Sequence, residues 1–225
     1  MQLIIFDCDG TLVDSQHIIY LAMSQAFDNV GLPKPSRQTV RSVIGLSLVE
    51  AVSLCLPEKT SADPVAIAEL YKTAFAELRA DPANDEPLFP GMLETLQHLA
   101  DQPDSLLAVA TGKSQRGMQR LIAREKLEHL FHSVQTADEH PSKPHPSMIE
   151  EAMTRAGADG TGTVMVGDTT YDMAMAVNAG TYGVGVSWGY HDTPALTRSG
   201  AVTVIETFEQ LPGEIDTLMT TRTAS

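Results

Sequence analysis

Three aspartates, Asp7, Asp9 and Asp14, crowd into eight residues directly after the apolar run LIIF (residues 3–6). Unpaired carboxylates beside a hydrophobic strand are costly, so such a cluster serves a cation or a reaction. If the chain stays extended past the strand, Asp7 and Asp9 share a face and Cys8 points away from it. Gly10 then lets the backbone turn closely past a ligand. Asp-Gly also closes ordinary turns, so the functional reading rests on what else accompanies this stretch.

Two further stretches and one lysine accompany it. GDTTYD supplies Asp168 after an apolar run and Asp172 four residues later, in the first turn of an expected helix, where an acid also suits the helix dipole. Asp7, Asp168 and the backbone carbonyl of Asp9 would give three hard oxygen ligands, leaving room for water and a phosphate oxygen, which fits magnesium. Lys143 sits in PSKPHP, where Pro144 favours extended geometry before it and both prolines suit a helix entrance. Thr111 and Gly112 offer an anion a hydroxyl and an approachable amide. Four carboxylates and one lysine leave a formal −3, and a divalent ion brings this to −1. Like charges near 4 Å repel by about 4 kcal/mol at an effective dielectric near 20, so without metal a phosphate dianion would be rejected.

The surrounding pattern supplies a scaffold for these groups. LIIF, SLLAVAT, HSVQTA, TVMVGD, YGVGVSW and AVTVIE read as strands. From residue 91 onward they alternate with helical stretches, which implies a parallel sheet with right-handed crossovers and helices on both faces. Between the first strand and that alternation lie HIIYLAMSQAF, TVRSVIG, SLVEAVSLCL and PVAIAELYKTAFAELRA, all with helical spacing and punctuated by Pro33, Pro35, Pro57 and Pro64. The expected fold is therefore an α/β three-layer Rossmann-like core (1–13 and 86–225) carrying an all-helical cap (14–85), with DPANDEPLFPG as a hinge. In such a sheet ligands bind beyond the carboxyl ends of the strands, where Asp7, Asp9, Thr111, Gly112, Lys143 and Asp168 all fall. The closing TTRTAS is expected to fray.

Composition narrows the partners. The 225 residues hold 15 Lys+Arg against 29 Asp+Glu, a formal charge of −14, with no two basic residues adjacent, which argues against nucleic acid or an anionic membrane surface. No run approaches membrane-spanning length and no leader-like start is seen, so cytoplasm is the expected compartment. Cys8 and Cys55 lack metal-ligand spacing and are read as buried thiols.

DCDGT, ATG, the lysine of SKP and GDTTYD, in this order at strand ends, resemble the four motifs of the haloacid dehalogenase superfamily, over essentially the whole chain. The resemblance implies a magnesium-dependent phosphatase acting on a small phosphorylated metabolite. By position, Asp7 is the nucleophile that becomes an aspartyl-phosphate, and Asp9 the general acid and then base. Thr111 and Lys143 hold phosphate, Lys143 also orients Asp7, Asp168 binds magnesium and Asp172 supports it. Each role is chemically reasonable. FDCDGTLVDS, LFPG and SWGY look most like the phosphoglycolate phosphatase-like branch.

Related phosphosugar mutases carry a cap arginine about where this chain has Leu48, so a mutase is the alternative reading, and a non-enzymatic phospho-acceptor switch a remote one. Arg41, Gly45 and Ser47 are candidates to face substrate, with a solvated helix face the favoured reading for Arg41. Trp188 and Tyr190 either edge the mouth or pack in the core. His17 and His191 are read as surface or loop residues, and a monomer or homodimer is expected.

Overall fold

The computed structural model describes residues 1–222. Its sheet has six parallel strands: β1 (Gln2–Phe6), β2 (Ser105–Thr111), β3 (Phe131–Thr136), β4 (Thr163–Gly167), β5 (Tyr182–Val186) and β6 (Ala201–Ile205), in the order β3-β2-β1-β4-β5-β6. The order reverses between β1 and β4, which is where a doubly wound sheet opens its ligand crevice.

Strand β1 shows why the sheet is central. Ile4 and Phe6 enter one apolar layer, with Val109, Leu107, Val164 and Val166, while Leu3 and Ile5 enter the other with Ala108, Ala110 and Met165. These four side chains of β1 are fully buried, as a period of two demands when helices cover both faces. Helices α1 (Gln16–Asn29), α2 (Arg37–Val43), α3 (Leu48–Cys55) and α4 (Pro64–Leu78) follow β1 before the second strand is reached. They share a separate core built on Met23, Phe27, Val40, Val52 and Ile67. The chain leaves for this insert and returns from it side by side, since the Asp14 amide donates to Pro87 O (2.8 Å) and the Phe89 amide to Leu12 O (3.0 Å).

The remaining helices are α5 (Met92–Ala100), α6 (Gln115–Glu125), α7 (Ser147–Ala156), α8 (Thr170–Asn178), α9 (Thr193–Arg198) and α10 (Leu211–Arg222). Their starts follow from capping chemistry: Ser114 accepts from the Gly117 amide before α6, and Thr169 and Asp172 form a reciprocal capping box at α8. The expected fraying of TTRTAS is corrected in part, because α10 continues through Arg222, and the last three residues lie outside the described ones. Among the described residues no helix is long and apolar enough to cross a membrane. Cys8 and Cys55 are buried free thiols.

Candidate active site

Register places the chemistry. Phe6 pairs with Val109 of β2 and with Val166 of β4, so Asp7 emerges at the switch point beside the ends of both neighbours. The Asp7 amide makes a last ladder bond to Val166 O (2.9 Å), after which the chain coils tightly, with the Cys8 carbonyl accepting the amides of Thr11, Leu12 and Val13. Gly10 takes φ +90° here, and a Cβ on it would collide with the Asp168 carboxylate. A Cβ on Gly189 would do the same, so Asp168 is gripped between two backbones that only glycine permits.

Asp7, Asp168 and Asp172 are buried, and each offers a carboxylate oxygen within 4.8 Å of the others. Each is fixed differently. Asp168 accepts Thr11 Oγ1 on Oδ1 (3.0 Å) and the Tyr190 amide on Oδ2 (2.8 Å). Asp172 accepts Lys143 Nζ on Oδ1 (2.6 Å), and on Oδ2 the amide (3.0 Å) and hydroxyl (2.6 Å) of Thr169. Lys143 Nζ also stands 2.8 Å from Asp7 Oδ1 as an ion pair. Asp7 Oδ2 has no hydrogen-bond partner among the described residues.

The energetics of this arrangement are one-sided. Burial pushes Asp7 up to about 7, with Lys143 opposing and Asp172 adding to the rise. Burial, then the charges of Asp172 and Asp7, hold Asp168 well above the carboxylate range. Burial disfavours the Lys143 charge, yet Asp172 and Asp7 outweigh it and raise its pKa. Three buried carboxylates around one ammonium lack positive charge, and a divalent cation supplies it. The orphaned Asp7 Oδ2 and the hard-oxygen donor set fit such an ion. Asp172 is already committed to Lys143 and Thr169, so it suits a supporting place rather than direct ligation.

The sequence-selected residues thus divide. Asp7, Lys143, Asp168 and Asp172 converge, with Gly10 packed beside them. The Asp9 side chain stands outside the carboxylate cluster, so any ligation by Asp9 falls to its backbone carbonyl. Its Oδ1 accepts Ser15 Oγ (2.6 Å) and Lys113 Nζ (2.8 Å), and Lys113 reaches on to Glu86 Oε1 (2.7 Å). Asp7, Asp9, Thr111 and Gly112 line a cavity of about 540 Å³ between the sheet and the insert. At Gly112 the insert packs tightly on the core, because a Cβ there would lie 2.6 Å from Leu46 O and 2.7 Å from Gly45 O. Gly45, Ser47 and Leu48 line the same cavity.

Arg41 is exposed on its helix, as the favoured reading has it, and is not among the residues lining that cavity. It donates to Tyr190 O (2.7 Å) and Gly189 O (2.9 Å), tying α2 to the loop that holds Asp168. Trp188 packs on Phe89 and Phe208 and donates to Thr11 O, whereas Tyr190 packs into the insert's core, its hydroxyl accepting the Ser15 amide. His191 is not a free loop residue, since its Nδ1 accepts the Thr170 amide at the start of α8 (3.0 Å). Sequence reasoning missed Thr11, Ser15, Glu86, Lys113 and Thr169. Only two left a signal: Lys113 directly follows the Thr-Gly at a strand end, and Thr169 with Asp172 has capping-box spacing.

A doubly wound sheet thus carries at its switch point three buried acids that could hold a metal ion, with a lysine among them. The model for the haloacid dehalogenase-like hydrolases matches residues 4–186, and the chain belongs to that family. Within it the protein is an enzyme of phosphatase type. The probable phosphatase IndB of Dickeya dadantii (strain 3937) is 38% identical over 221 residues, covering 96% of this chain and 94% of the relative. A phosphoglycolate phosphatase of Pseudomonas syringae pv. syringae (strain B728a) is 30% identical over 219 residues, covering 96% and 80%. Among solved structures, a hydrolase from Pseudomonas syringae superposes with a TM-score of 0.83 at 26% identity, covering 96% of this chain and 98% of that one.

Proposed function

We propose that the protein is a magnesium-dependent phosphatase that hydrolyses a small phosphorylated metabolite through an aspartyl-phosphate on Asp7. The observation that carries this is Asp7 itself: a buried carboxylate with one oxygen held by Lys143 and the other unpartnered at the edge of a cavity. In the first step a carboxylate oxygen of Asp7 attacks phosphorus, the ester oxygen leaves, and Asp9 gives it a proton. In the second, Asp9 takes a proton from water, which attacks the same phosphorus and returns Asp7 as a carboxylate. Thr111, Gly112 and Lys143 receive the phosphoryl oxygens, and Asp172 keeps Lys143 in place. Asp7, Asp168 and the Asp9 carbonyl would hold magnesium, whose charge offsets that of the carboxylates and polarises the phosphoryl group.

Residues 14–85 act as the cap over a core of 1–13 and 86–225, covering the cavity and excluding water during transfer. Several relatives are phosphoglycolate phosphatases by name, which supports a phosphorylated acid as substrate. Hydrolysis of a generic aryl phosphate with magnesium, lost with EDTA and in Asp7→Asn, is the expected result. Slow single turnover leaving a stable phosphoprotein would replace the reading with a phospho-acceptor switch.

A further inference from the structure

The cavity's charge is opposite to that of the chain. Three carboxylates line it, Asp7, Asp9 and Asp138, against five cations, Lys72, Arg79, Lys113, Arg116 and Arg120, in a protein of formal charge −14. Two of the five are accounted for: Lys113 by Asp9 and Glu86, and Lys72 by Glu69. Asp138 is spent on the Gln115 amide. Arg79, Arg116 and Arg120 have no carboxylate within ion-pair distance among the described residues. Their neighbour Arg124, one turn beyond Arg120 on the same helix, is held by Asp85 and Glu125. Slight desolvation, then the charges of Arg79 and Arg116, lower the pKa of Arg120.

Their position relative to the reacting end follows from helix geometry. Tyr71, Phe75 and Arg79 recur at helical spacing along the cavity face of α4 and the residue that closes it. Tyr71 lies at the reacting end, since the Asp9 charge adds to burial in raising its hydroxyl pKa, and Lys113 lies 5.8 Å from the Phe75 ring centre. Arg79 is eight residues, or about 12 Å, further along. Across the cavity, Arg116 and Arg120 stand one turn apart on α6. Aromatic surface therefore separates the phosphate-handling end from a convergence of unneutralised arginines contributed by both the insert and the core.

We propose that Arg79, Arg116 and Arg120 bind a second acidic group of the substrate, so that the preferred substrate is an elongated phosphate monoester with an apolar or aromatic middle and a carboxylate or second phosphate at its far end. The inference rests on the phosphatase reading for the reacting end. It goes beyond that reading because a two-carbon phosphorylated acid is too short to span both ends. Guanidinium groups suit either anion through paired N–H donors, and an anion bridging Arg79 to α6 would also draw the insert onto the core.

The test uses the full chain with magnesium and three aryl phosphates: 3-(4-phosphonooxyphenyl)propanoate, its neutral propanamide, and the analogue ending in an alkyl phosphate. The expected result is about a tenfold higher kcat/KM for the acidic-ended compounds than for the amide, mostly through KM, as three exposed pairs worth a factor of two or so each would give. Comparing carboxylate with phosphate tells which anion is preferred. The advantage should fall below threefold in Arg79→Gln/Arg116→Gln/Arg120→Gln and shrink at high salt. Equal kcat/KM for acid and amide in the unaltered protein, or an advantage that survives the triple substitution, overturns the inference while leaving the phosphatase reading intact. If none of the compounds releases phosphate, the phosphatase reading fails. Calorimetric binding of the acid and the amide to Asp7→Asn still decides this site, which equal affinities would refute.

Discussion

Two charged clusters meet at the cavity, and they are built to opposite specifications. At the β1/β4 switch point, Asp7, Asp168, Asp172 and Lys143 are fully buried, and each sits on a strand end, a helix cap or a proline-framed loop. At the cavity wall, Asp9, Lys113 and Glu86 keep side-chain exposures of 8–12% and join three segments distant in sequence, one of them the returning connection of the insert. The first cluster is rigid and short of positive charge. The second is internally paired and links the reacting loop to the insert's attachment. The attacking carboxylate thus sits in the fully buried cluster, while the groups that link the reacting loop to the insert, the proton-transferring Asp9 among them, keep some access to water.

The sharpest way to test that division is Asp7→Asn. Activity is expected to fall about 10⁴-fold or more, the scale seen when a nucleophile is removed. Metal-free stability should rise, because one of three crowded buried carboxylates has become neutral. A variant that lost activity and stability together would show the cluster to be structural.

Removing each lysine compares the clusters directly. Lys143→Met leaves Asp7 and Asp172 unpaired and fully buried, with an expected loss of about 3–5 kcal/mol in urea denaturation. Lys113→Met strands carboxylates that retain access to water, and about 1–2 kcal/mol is expected. Combining Asp7→Asn with Lys143→Met should recover part of the loss, since the two groups are in contact. Equal costs for the two lysines would erase the distinction drawn between the clusters.

The difference also explains what could be read before the structure. All six strands, the helical insert and the four groups at the switch point were legible, because each stands at the boundary of a locally patterned element. Strand periodicity ends at Asp7 and Asp168, prolines frame Lys143, and a helix begins at Asp172. Lys113 and Glu86 carry no such mark. Glu86 sits in an acidic, proline-rich link like many others, and its pairing exists only because that link returns beside residue 13. The bonds made by Arg41 were hidden for the same reason: its acceptors are backbone carbonyls of a loop some 150 residues away, which no side-chain pattern announces. The arginines of the cavity's far end come together only because α4 and α6 line the same cavity from opposite sides, which no local pattern announces.

The smallest expected effect concerns the buried cluster's response to pH. With its pKa raised to about 7 from an ordinary 3.8, Asp7 binds a proton more tightly in the folded protein than in the unfolded chain. The folded metal-free state therefore gains from this group below about pH 4 and loses that gain as pH rises toward 7. Magnesium competes with the same proton, so its stabilisation should run the other way, small at pH 5 and larger at pH 7.5. The difference is expected to be on the order of 1 kcal/mol, about 2–4 °C in Tm for a chain of this length. Thermal melts with saturating magnesium or EDTA at the two pH values measure it, with Lys113→Met as the comparison. That variant alters only the neighbouring cluster and should keep the same pH trend. A magnesium shift independent of pH, or larger at pH 5, would mean that Asp7 is already ionised in the metal-free protein and that the orphaned oxygen is not where the cation gains its affinity.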